Sequence, residues 1–462
     1  MTTTIQSRSP QDPDDLVADV PAATAGEVRE AAATARTVQR DWWDSGAAAR
    51  ATALGAAARS LRERADEAAA LVVREVGKPA GEARAEAGRA VAILDYYAQA
   101  AYGAWGETYP PSAGGVLWTE RRPHGVAGLV TPWNFPLAIP LWKAAPALAV
   151  GSAVLLKPSP EAVACATWLG ELMAGTLPDG LLQVLPGGAE TGDAVVRAAD
   201  VVSFTGSVAV GSEVAVMATR RRIPVQAEMG GHNAAVVLPD ADPEVVAGLV
   251  AGAAMGFAGQ KCTATRRVVV VGGDARVREV TEALVAAVGA LEPGDPSKAG
   301  VTVGPVVTEA ARDRVVDAVG AVRASGGRVL AGGRADGRRG WFVLPTLVDG
   351  LDPGHEVSQQ EVFGPLAVVQ AARDLDHAVA LADGTPYGLV TSIHGRDAGP
   401  LLDVARRVRT GLVKVNAPTT GVDFYAPFGG EAASSIGPRE QGRAALDFYA
   451  STRTVTFAPP GG

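Results

Sequence analysis

The sequence has 462 residues, of which 47% are hydrophobic and 20% charged, an ordinary composition for a globular chain of two or three domains. The net charge of −8 speaks against nucleic acid or an anionic membrane as an obligatory partner. Two cysteines cannot build a disulfide framework in a chain of this length, and the polar N-terminus shows no secretory signal, so we expect a cytoplasmic protein.

The first part of the chain is dominated by helical patterns. Residues 22–105 are predicted to be helical, because alanine is abundant and apolar residues recur at spacings of three and four. No long disordered segment is expected beyond the first dozen residues, which are polar. The following segment "GVLWTERRP", which begins at Gly115, alternates like an exposed strand.

Residues 129–156 are apolar enough to suggest a membrane span. The segment contains four prolines, an asparagine and a lysine, and the prolines would leave backbone carbonyls unpaired in lipid. We therefore predict a strand, a turn, a buried helix and a second strand here, and no membrane partner.

Short apolar strands then alternate with helix-like segments. The first series is "GVAGLV", "AVLLKPS", "LLQVLPGG", "VVSFTGS" and "IPVQAEMGG", and the second, from about residue 234, is "AAVVLPD", "RVVVVGG", "RVLAGG", "WFVLPTLVDG" and "PLAVVQAA". Strands that alternate with helices predict an α/β fold with parallel, doubly wound sheets. A last strand, "TRTVTFAP", closes the chain.

Several polar residues follow predicted strands, at the edge where doubly wound sheets bind ligands. Gly206, Ser207 and Gly211 lie where a strand gives way to a helix, whose N-terminus offers free N–H groups to a phosphate. Such turns occur in every α/β protein, and this one does not match G-x-G-x-x-G, so the motif alone favours a nucleotide site only weakly. Lys157 ends the strand "AVLLK" and could be an ordinary solvated lysine.

Two carboxylates also follow predicted strands or turns. Glu228 precedes a Gly-Gly turn, where partial burial would raise its pKa and suit it to general-base catalysis, or where it is simply a solvated turn carboxylate. Glu361, Phe363 and Gly364 of "EVFGP" are expected either to cap a turn or to line a pocket. The five histidines do not cluster, so no metal site is predicted.

The two cysteines have different neighbours. Cys165 lies in the apolar segment "EAVACATWLGELM" and is interpreted as part of a helix core. Cys262 lies in the polar and basic segment "GFAGQKCTATRR", just after an apolar, helix-like run. It is either an unimportant surface thiol or a nucleophile at a helix end.

Seven motifs occur in the order and spacing of the aldehyde dehydrogenase superfamily: "TPWNFP", "LLKPS", "SFTGS", "EMGG", "GQKC", "EVFGP" and "PFGG". The chain resembles that superfamily over about residues 14–457, and "VNAPTTGVDFYAPFGG" with "SSIGPREQG" resembles its branch of α-ketoglutaric semialdehyde dehydrogenases. The resemblance implies a Rossmann-type cofactor domain (1–115 and 126–229), an α/β catalytic domain (230–425) and a small β oligomerisation arm (116–125 and 440–462). Because an exposed strand edge needs a partner, a homodimer or homotetramer is expected.

The resemblance also implies a reaction. Cys262 would attack the carbonyl of a small-molecule aldehyde, and the Asn134 amide with the Cys262 backbone N–H would stabilise the oxyanion. Hydride would leave to the nicotinamide, and Glu228 would activate the water that hydrolyses the thioester to a carboxylic acid. A coenzyme A-acylating enzyme and a catalytically silent relative are the alternatives, and the presence of Glu228 favours hydrolysis.

The implied cofactor is NAD or NADP. By resemblance, Trp133 and Ser207 contact the pyrophosphate, Lys157 the adenosine ribose, and Glu361 with Phe363 the nicotinamide ribose. The predicted cofactor-binding residues also include three further small residues, Ser159, Gly206 and Gly211.

Two departures from the family pattern have consequences. Many NAD-preferring relatives carry a glutamate where this chain has Pro160, and without that carboxylate the 2′-phosphate of NADP is not repelled, so NADP is the expected preference. The N-terminus also starts late, without the usual first pair of strands.

For the substrate, the branch resemblance favours a short semialdehyde with an anionic end. Trp142 stands where succinic semialdehyde dehydrogenases typically place an arginine, which argues against succinic semialdehyde. A pocket lined by Phe135, Leu137, Trp142 and Phe428 would suit an aromatic or aliphatic aldehyde instead.

Overall fold

The computed structural model describes residues 3–103 and 105–458; residues 1, 2, 104 and 459–462, which belong to the predicted cofactor domain and arm, lie outside the described residues. The chain begins with an antiparallel hairpin of β1 (Thr4–Ser9) and β2 (Asp12–Pro21). The prediction that the chain starts without the usual first pair of strands is therefore wrong. The hairpin is held by distant groups that a local pattern does not reveal: Arg339 pairs with Asp12 at 2.8 Å, and the Trp341 N–H donates to the Pro10 carbonyl at 2.9 Å.

Four helices follow within the segment predicted to be helical: α1 (Ala25–Asp44), α2 (Gly46–Glu63), α3 (Ala65–Val76) and α4 (Ala80–Ala100). A capping box starts α1, with Thr24 and Glu27 bonded to each other's backbone. The third helix ends at Gly77, whose φ of 69° is the left-handed conformation that glycine adopts without strain.

From residue 108 onward, strands and helices alternate. In chain order they are β3 (Thr108–Tyr109), β4 (Val116–Pro123), β5 (Val126–Thr131), α5 (Ala138–Val150), β6 (Ala153–Pro158), α6 (Val163–Ala174), β7 (Leu182–Val184), α7 (Ala189–Ala198), β8 (Val201–Thr205), α8 (Val208–Arg221), β9 (Val225–Glu228), β10 (Asn233–Val237), α9 (Pro243–Met255), β11 (Thr265–Val271), α10 (Asp274–Gly289), α11 (Glu309–Ala324), β12 (Arg328–Ala331), β13 (Thr346–Asp349), α12 (Glu356–Gln359), β14 (Leu366–Ala372), α13 (Leu375–Asp383), β15 (Tyr387–Gly388), β16 (Val390–His394), α14 (Ala398–Arg407), β17 (Leu412–Val415), β18 (Glu431–Ala432), β19 (Ser435–Ile436), α15 (Gly442–Phe448) and β20 (Ala450–Phe457). Each segment that was predicted as a strand contains one, whereas β3 and the five strands β15 to β19 were not predicted.

A six-stranded sheet has the order β19-β9-β8-β5-β6-β7. All its pairs are parallel except the short edge pair of β19 with β9. Its central strands are almost wholly buried, because helices cover both faces of a parallel sheet. The predicted α/β fold is confirmed.

Residues 129–156 fold as predicted into β5, a turn, α5 and β6, and every residue of α5 is buried. No helix among the described residues is both long enough and apolar enough to cross a membrane.

A second sheet of seven strands has the order β12-β13-β14-β11-β10-β16-β17 and is parallel except for β12. Its valine-rich central strand β11 is buried along its whole length. A third, antiparallel sheet joins β20 and β4, from the segments predicted as the arm, with β3, from the segment predicted as cofactor domain, and most of its residues are exposed or half-buried.

Candidate active site

A cavity of about 440 Å³ opens where strand ends of the six-stranded sheet face residues of the second sheet and its loops. Strands β5, β8 and β9 are followed or ended by the lining segments 132–134, 205–208 and 228–230. The carboxyl ends of parallel strands are the edge at which such sheets bind ligands. All three predicted catalytic residues line this cavity: Cys262, Glu228 and Asn134.

Cys262 lies in a turn that leads into β11, beyond the end of α9. The prediction of a nucleophile at a helix end is therefore wrong in its geometry. The Asn233 amide fixes the turn by donating to the main-chain oxygens of Cys262 (2.7 Å) and Ala264 (2.8 Å). Burial raises the pKa of the Cys262 thiol to about 12, and the carboxylates of Glu361 and Glu228 add to the rise. The resting thiol therefore keeps its proton at neutral pH.

Cys165 is fully buried in α6, as predicted, and burial raises the pKa of its thiol well above the usual range. Its main-chain N–H donates to Glu75 at 2.7 Å. Of the two cysteines, both within the described residues, Cys262 alone lines the cavity.

The main chain just before Cys262 is strained. Phe257 and Ala258 both have a φ of 51°, a left-handed conformation that costs an L-residue about 1 kcal/mol. Gly259 follows, and a Cβ there would lie 2.3 Å from the Gly364 carbonyl oxygen. The buried Arg266 guanidinium donates to the main-chain oxygens of Gly259 and Gly364. These contacts hold the strained segment in place, as strain persists only where the surroundings over-determine it.

Asn134 is buried directly beyond the end of β5. Its Nδ2 donates to the main-chain oxygen of Gln260 at 3.0 Å, and its Oδ1 has no hydrogen-bond partner among the described residues. Gln260 is itself fully buried and accepts from the Val307 N–H at 2.8 Å. Since an amide nitrogen carries two protons, one can orient the side chain while the other remains free to bind a ligand.

Glu228 ends β9 and is 3% exposed, which excludes the interpretation as a solvated turn carboxylate. Its Oε2 accepts from the Ser435 hydroxyl at 2.7 Å, and its Oε1 has no hydrogen-bond partner within the described part of the chain. Burial raises the pKa of Glu228 well above its usual range, and the nearby Glu440 carboxylate raises it further. Once ionised, such a carboxylate is a stronger base than one in water.

A buried ion pair that the sequence reasoning missed lies near Glu228. Lys143 of α5 contacts Glu440 and donates to the Ser203 hydroxyl at 2.7 Å. Trp142 Nε1 donates to the other Glu440 oxygen at 2.8 Å. The available signal was a lysine inside an otherwise apolar helix, because a buried lysine needs a partner.

Five of the eight predicted cofactor-binding residues line the cavity: Trp133, Gly206, Ser207, Glu361 and Phe363. The Ser207 hydroxyl caps α8 and accepts from the Val210 N–H at 3.4 Å. The free N–H groups and the positive dipole end of α8 suit a phosphate.

The surroundings of Glu361 indicate whether a dinucleotide fits these residues. Its Oε2 packs so close to Gly230 that a Cβ there would lie 2.0 Å away, and its Oε1 lies 3.7 Å from Arg266 with no hydrogen-bond partner among the described residues. Burial raises the pKa of Glu361 to about 7. A buried carboxylate oxygen without a donor is what a ribose hydroxyl would satisfy, so the site fits NAD or NADP.

Lys157, Ser159 and Gly211 lie outside this cavity. Lys157 is the penultimate residue of β6, the neighbour of β5, and burial lowers its pKa, while Ser159 donates to the Glu161 carboxylate. A Cβ at Gly211 would come within 2.6 Å of the Met229 sulfur, so this glycine lets α8 pack closely. Contact of the three residues with a cofactor stays a prediction.

The end of the cavity near α5 is apolar. Ile139, Trp142 and Phe428 line it, and the Trp142 and Phe428 rings lie 6.0 Å apart. The prediction that Phe135 and Leu137 belong to this wall is wrong, because Leu137 is buried elsewhere and the Phe135 ring packs on a buried lysine.

Arg314 and Tyr387 also line the cavity, and sequence reasoning singled out neither. Arg314 is an exposed residue of α11, and Tyr387 belongs to the two-residue strand β15. Nothing in the local pattern marks them, since the fold alone brings them to the cavity.

Comparison with known proteins agrees with this geometry. The family model described as "Aldehyde dehydrogenase family" matches residues 1–455. The chain is 34% identical over 464 residues to the alpha-ketoglutaric semialdehyde dehydrogenase of Bacillus subtilis, covering 98% of this chain and 95% of the relative. It is 34% identical over 448 residues to the benzaldehyde dehydrogenase (NAD+) of Pseudomonas putida, covering 96% and 91%. The crystal structure of an NADP-dependent enzyme of E. coli matches with a TM-score of 0.95 and 30% identity, covering 99% of this chain and 95% of that one.

The resemblance predicted from the motifs is confirmed over nearly the whole chain. The family, the fold and the cavity all indicate an enzyme that oxidises aldehydes with NAD or NADP. The chain belongs to the aldehyde dehydrogenase family.

Proposed function

We propose that this NAD(P)-dependent enzyme converts an aldehyde into a carboxylic acid through covalent intermediates on Cys262. The observation that carries the proposal is that Cys262, Asn134 and Glu228 line one cavity. A nucleophile, an amide donor and a buried carboxylate are the three groups that acyl chemistry on a thiol requires.

The Cys262 sulfur adds to the carbonyl carbon and forms a thiohemiacetal. The free amide proton of Asn134 and the Cys262 backbone N–H bind the oxygen that becomes negative. Because the thiol's pKa is raised to about 12, the thiol gives up its proton to solvent as the sulfur attacks, and the carbonyl oxygen takes the negative charge.

NAD or NADP, when bound, would supply the hydride acceptor, and loss of hydride from the former carbonyl carbon would leave a thioester on Cys262. Trp133, Gly206 and Ser207 would hold the phosphates, and Glu361 with Phe363 the nicotinamide ribose. Lys157, near the end of β6, would contact the adenosine ribose, and Ser159 and Gly211 would complete the cofactor site.

Glu228 then takes a proton from the water that hydrolyses the thioester. Its burial supports this role, because a carboxylate with a raised pKa is a better base once ionised. The alternative, transfer of the acyl group to coenzyme A, would not need this base.

The test is to incubate the enzyme with an aldehyde and NAD or NADP in the absence of coenzyme A. We expect one carboxylate per reduced cofactor over many turnovers. Reduced cofactor that forms only when coenzyme A is added, with a thioester as product, would overturn the proposal.

We also propose that NADP is used at least as efficiently as NAD, because Pro160 leaves no carboxylate at that position to repel a 2′-phosphate. Glu161 next to it is engaged by the Ser159 hydroxyl. Comparison of kcat/KM for the two cofactors tests this, and a preference of about a hundredfold for NAD would reject it. The variant Pro160→Glu should shift the preference toward NAD.

The apolar wall of Ile139, Trp142 and Phe428 supports a substrate with an apolar or aromatic body. A semialdehyde with an anionic end, which the C-terminal motifs favour, is the second candidate. The relative in Pseudomonas putida is named for an aromatic aldehyde, and the relative in Bacillus subtilis for a semialdehyde. Competition of benzaldehyde, α-ketoglutaric semialdehyde and succinic semialdehyde at equal concentration decides between them. The highest kcat/KM for succinic semialdehyde would contradict the argument from Trp142.

We propose the predicted division of the chain as a working architecture: a cofactor domain at 1–115 and 126–229, a catalytic domain at 230–425, and an arm at 116–125 and 440–462. Phe457 at the end of β20 is 63% exposed, which supports an arm that contacts a second copy in a homodimer or homotetramer. Sedimentation equilibrium tests the assembly. A cytoplasmic location remains a proposal from the cysteine content.

A further inference from the structure

The first two turns of α4 carry two carboxylates that reach the loops around the active-site cavity. Glu82 and Glu86 are four residues apart, so they lie on the same face of the helix. Glu82 Oε2 lies 2.6 Å from the Nζ of Lys261, which directly precedes Cys262. Lys261 therefore directs its charge toward α4, and it is not among the residues that line the cavity.

Glu86 reaches the loop that carries Asn134. Its Oε1 accepts from the N–H groups of Leu137 at 2.9 Å and Ala138 at 3.1 Å, where α5 begins. It also contacts the fully buried ammonium of Lys78, which donates to the Asn134 main-chain oxygen at 2.7 Å. The main chain from the Asn134 carbonyl to the start of α5 is thus held by groups that α4 anchors.

The two carboxylates belong to one closed circuit of contacts. Lys78 lies over the ring of Phe257, in the strained segment before the nucleophile, with its Nζ 4.6 Å from the ring centre. Asn134 Nδ2 bonds to the main chain of Gln260, and the next residue, Lys261, returns to α4 through Glu82. A shift of either loop relative to the other must therefore break a contact with α4.

We propose that Glu82 and Glu86 are positioning residues that fix the position of the Asn134 amide relative to the Cys262 sulfur. The inference rests on the proposed function of those two groups as oxyanion donor and nucleophile. Reaction rates depend steeply on the relative positions of the reacting groups, since a misplacement of about 1 Å can lower the rate about a hundredfold. Neither carboxylate lines the cavity, so they act on the reaction only through Asn134 and the nucleophile loop.

The pair of Glu82 and Lys261 is the one to test, because removal of one partner from the fully buried pair of Lys78 and Glu86 threatens folding itself. The variants are Glu82→Ala, Lys261→Met and the double variant, each in the Cys165→Ala background so that Cys262 is the only thiol. The measurements are the rate of the first burst of reduced cofactor and the Kd of the cofactor.

We expect each single variant to lower the burst rate about tenfold and the double variant to lower it by no more than either single one, because all three break the same contact. The cofactor Kd should stay within about twofold, since the contact lies outside the cofactor-binding residues. The matched control is Asp95→Asn, also in α4, which breaks an exposed ion pair with Arg62 of α2 and should leave the burst rate unchanged.

A burst rate within about twofold of the parent in Glu82→Ala would overturn the proposal. The proposal would also be overturned if the losses of burst rate multiplied in the double variant, or if Asp95→Asn lowered the burst rate equally. It would likewise be overturned if the cofactor Kd rose as the burst rate fell. Cys262→Ala, assayed in parallel, separates this proposal from the proposed function. If that variant is inactive while Glu82→Ala is normal, only the positioning role is lost, whereas an active Cys262→Ala removes the reaction on which it rests.

Discussion

The two sides of the active-site cavity are built by different means. Asn134, Ser207 and Glu228 lie at or just beyond the ends of parallel strands, where regular backbone places them. Cys262 and Phe363 lie in loops with left-handed, non-glycine residues: Phe363 has a φ of 55°, and Phe257 and Ala258 precede the nucleophile. Residues that bind and orient can stand on ordinary strand ends, whereas the nucleophile depends on strain that neighbouring side chains hold in place.

The largest expected effect is on the strained side. Cys262→Ala should lower kcat by more than about a thousandfold, because the covalent route needs the sulfur, while the Kd of the cofactor stays unchanged. The matched control is Cys165→Ala, which removes a thiol from the core of α6 and should leave kcat intact. More than a few per cent of kcat in a pure Cys262→Ala preparation would sink the assignment.

On the strand-end side, Glu228→Gln should separate the two halves of the reaction. We expect a burst of about one reduced cofactor per active site, followed by turnover slowed about a hundredfold, because hydrolysis loses its base and hydride transfer does not. Rapid-mixing absorbance measures both phases. Loss of the burst itself would move Glu228 to a step before the thioester.

Glu361 should make cofactor binding depend on pH. With a pKa of about 7, its carboxyl becomes ionised between about pH 6 and about pH 8, and an ionised acceptor binds a ribose hydroxyl more strongly. We therefore expect the Kd of the cofactor to fall by up to about tenfold as pH rises through this window. Calorimetric titration measures it, and Glu361→Gln is the control that should flatten the curve. A wild-type Kd that is constant with pH would contradict the assignment.

The smallest effect compares two buried alanines. Ala227 lies in β9 and Ala258 in the strained segment, and each is at most 1% exposed. Ala227→Gly should lower the free energy of unfolding by about 1 to 2 kcal/mol, since it loses a buried methyl and gains chain entropy in the unfolded state. Ala258→Gly loses the same methyl but relieves the left-handed φ, so it should stay within about 0.5 kcal/mol of zero. Chemical denaturation compares them, and equal losses would show that Ala258 is not strained.

The same contrast explains how much of the site could be predicted. Glu228 and Ser207 follow apolar strands, and a strand pattern places its end at the ligand-binding edge of the sheet. By contrast, no local pattern predicts that Phe257 and Ala258 are left-handed, because neither residue type favours that conformation. Their φ angles depend on Arg266 and on residue 364, about a hundred residues further along the chain.

The missed groups share another cause, which is pairing over long distances in sequence. Lys143 was visible in the apolar helix, yet its partner Glu440 lies in the C-terminal motif. The N-terminal hairpin was missed because contacts with the segment around Arg339 stabilise it, although its own sequence is polar. Composition and periodicity report on neighbours along the chain, so the parallel sheets were predictable and these contacts were not.

The bond from Trp142 to Glu440 limits how this enzyme can be redesigned for other aldehydes. An obvious way to enlarge the pocket is to truncate Trp142, but that change removes a donor from a buried carboxylate that raises the pKa of Glu228. A library that varies Trp142 would therefore alter substrate range and acid–base behaviour together. Ile139 and Phe428 line the same wall and have no polar atom in their side chains, so they are the positions at which specificity can be changed independently of the catalytic groups.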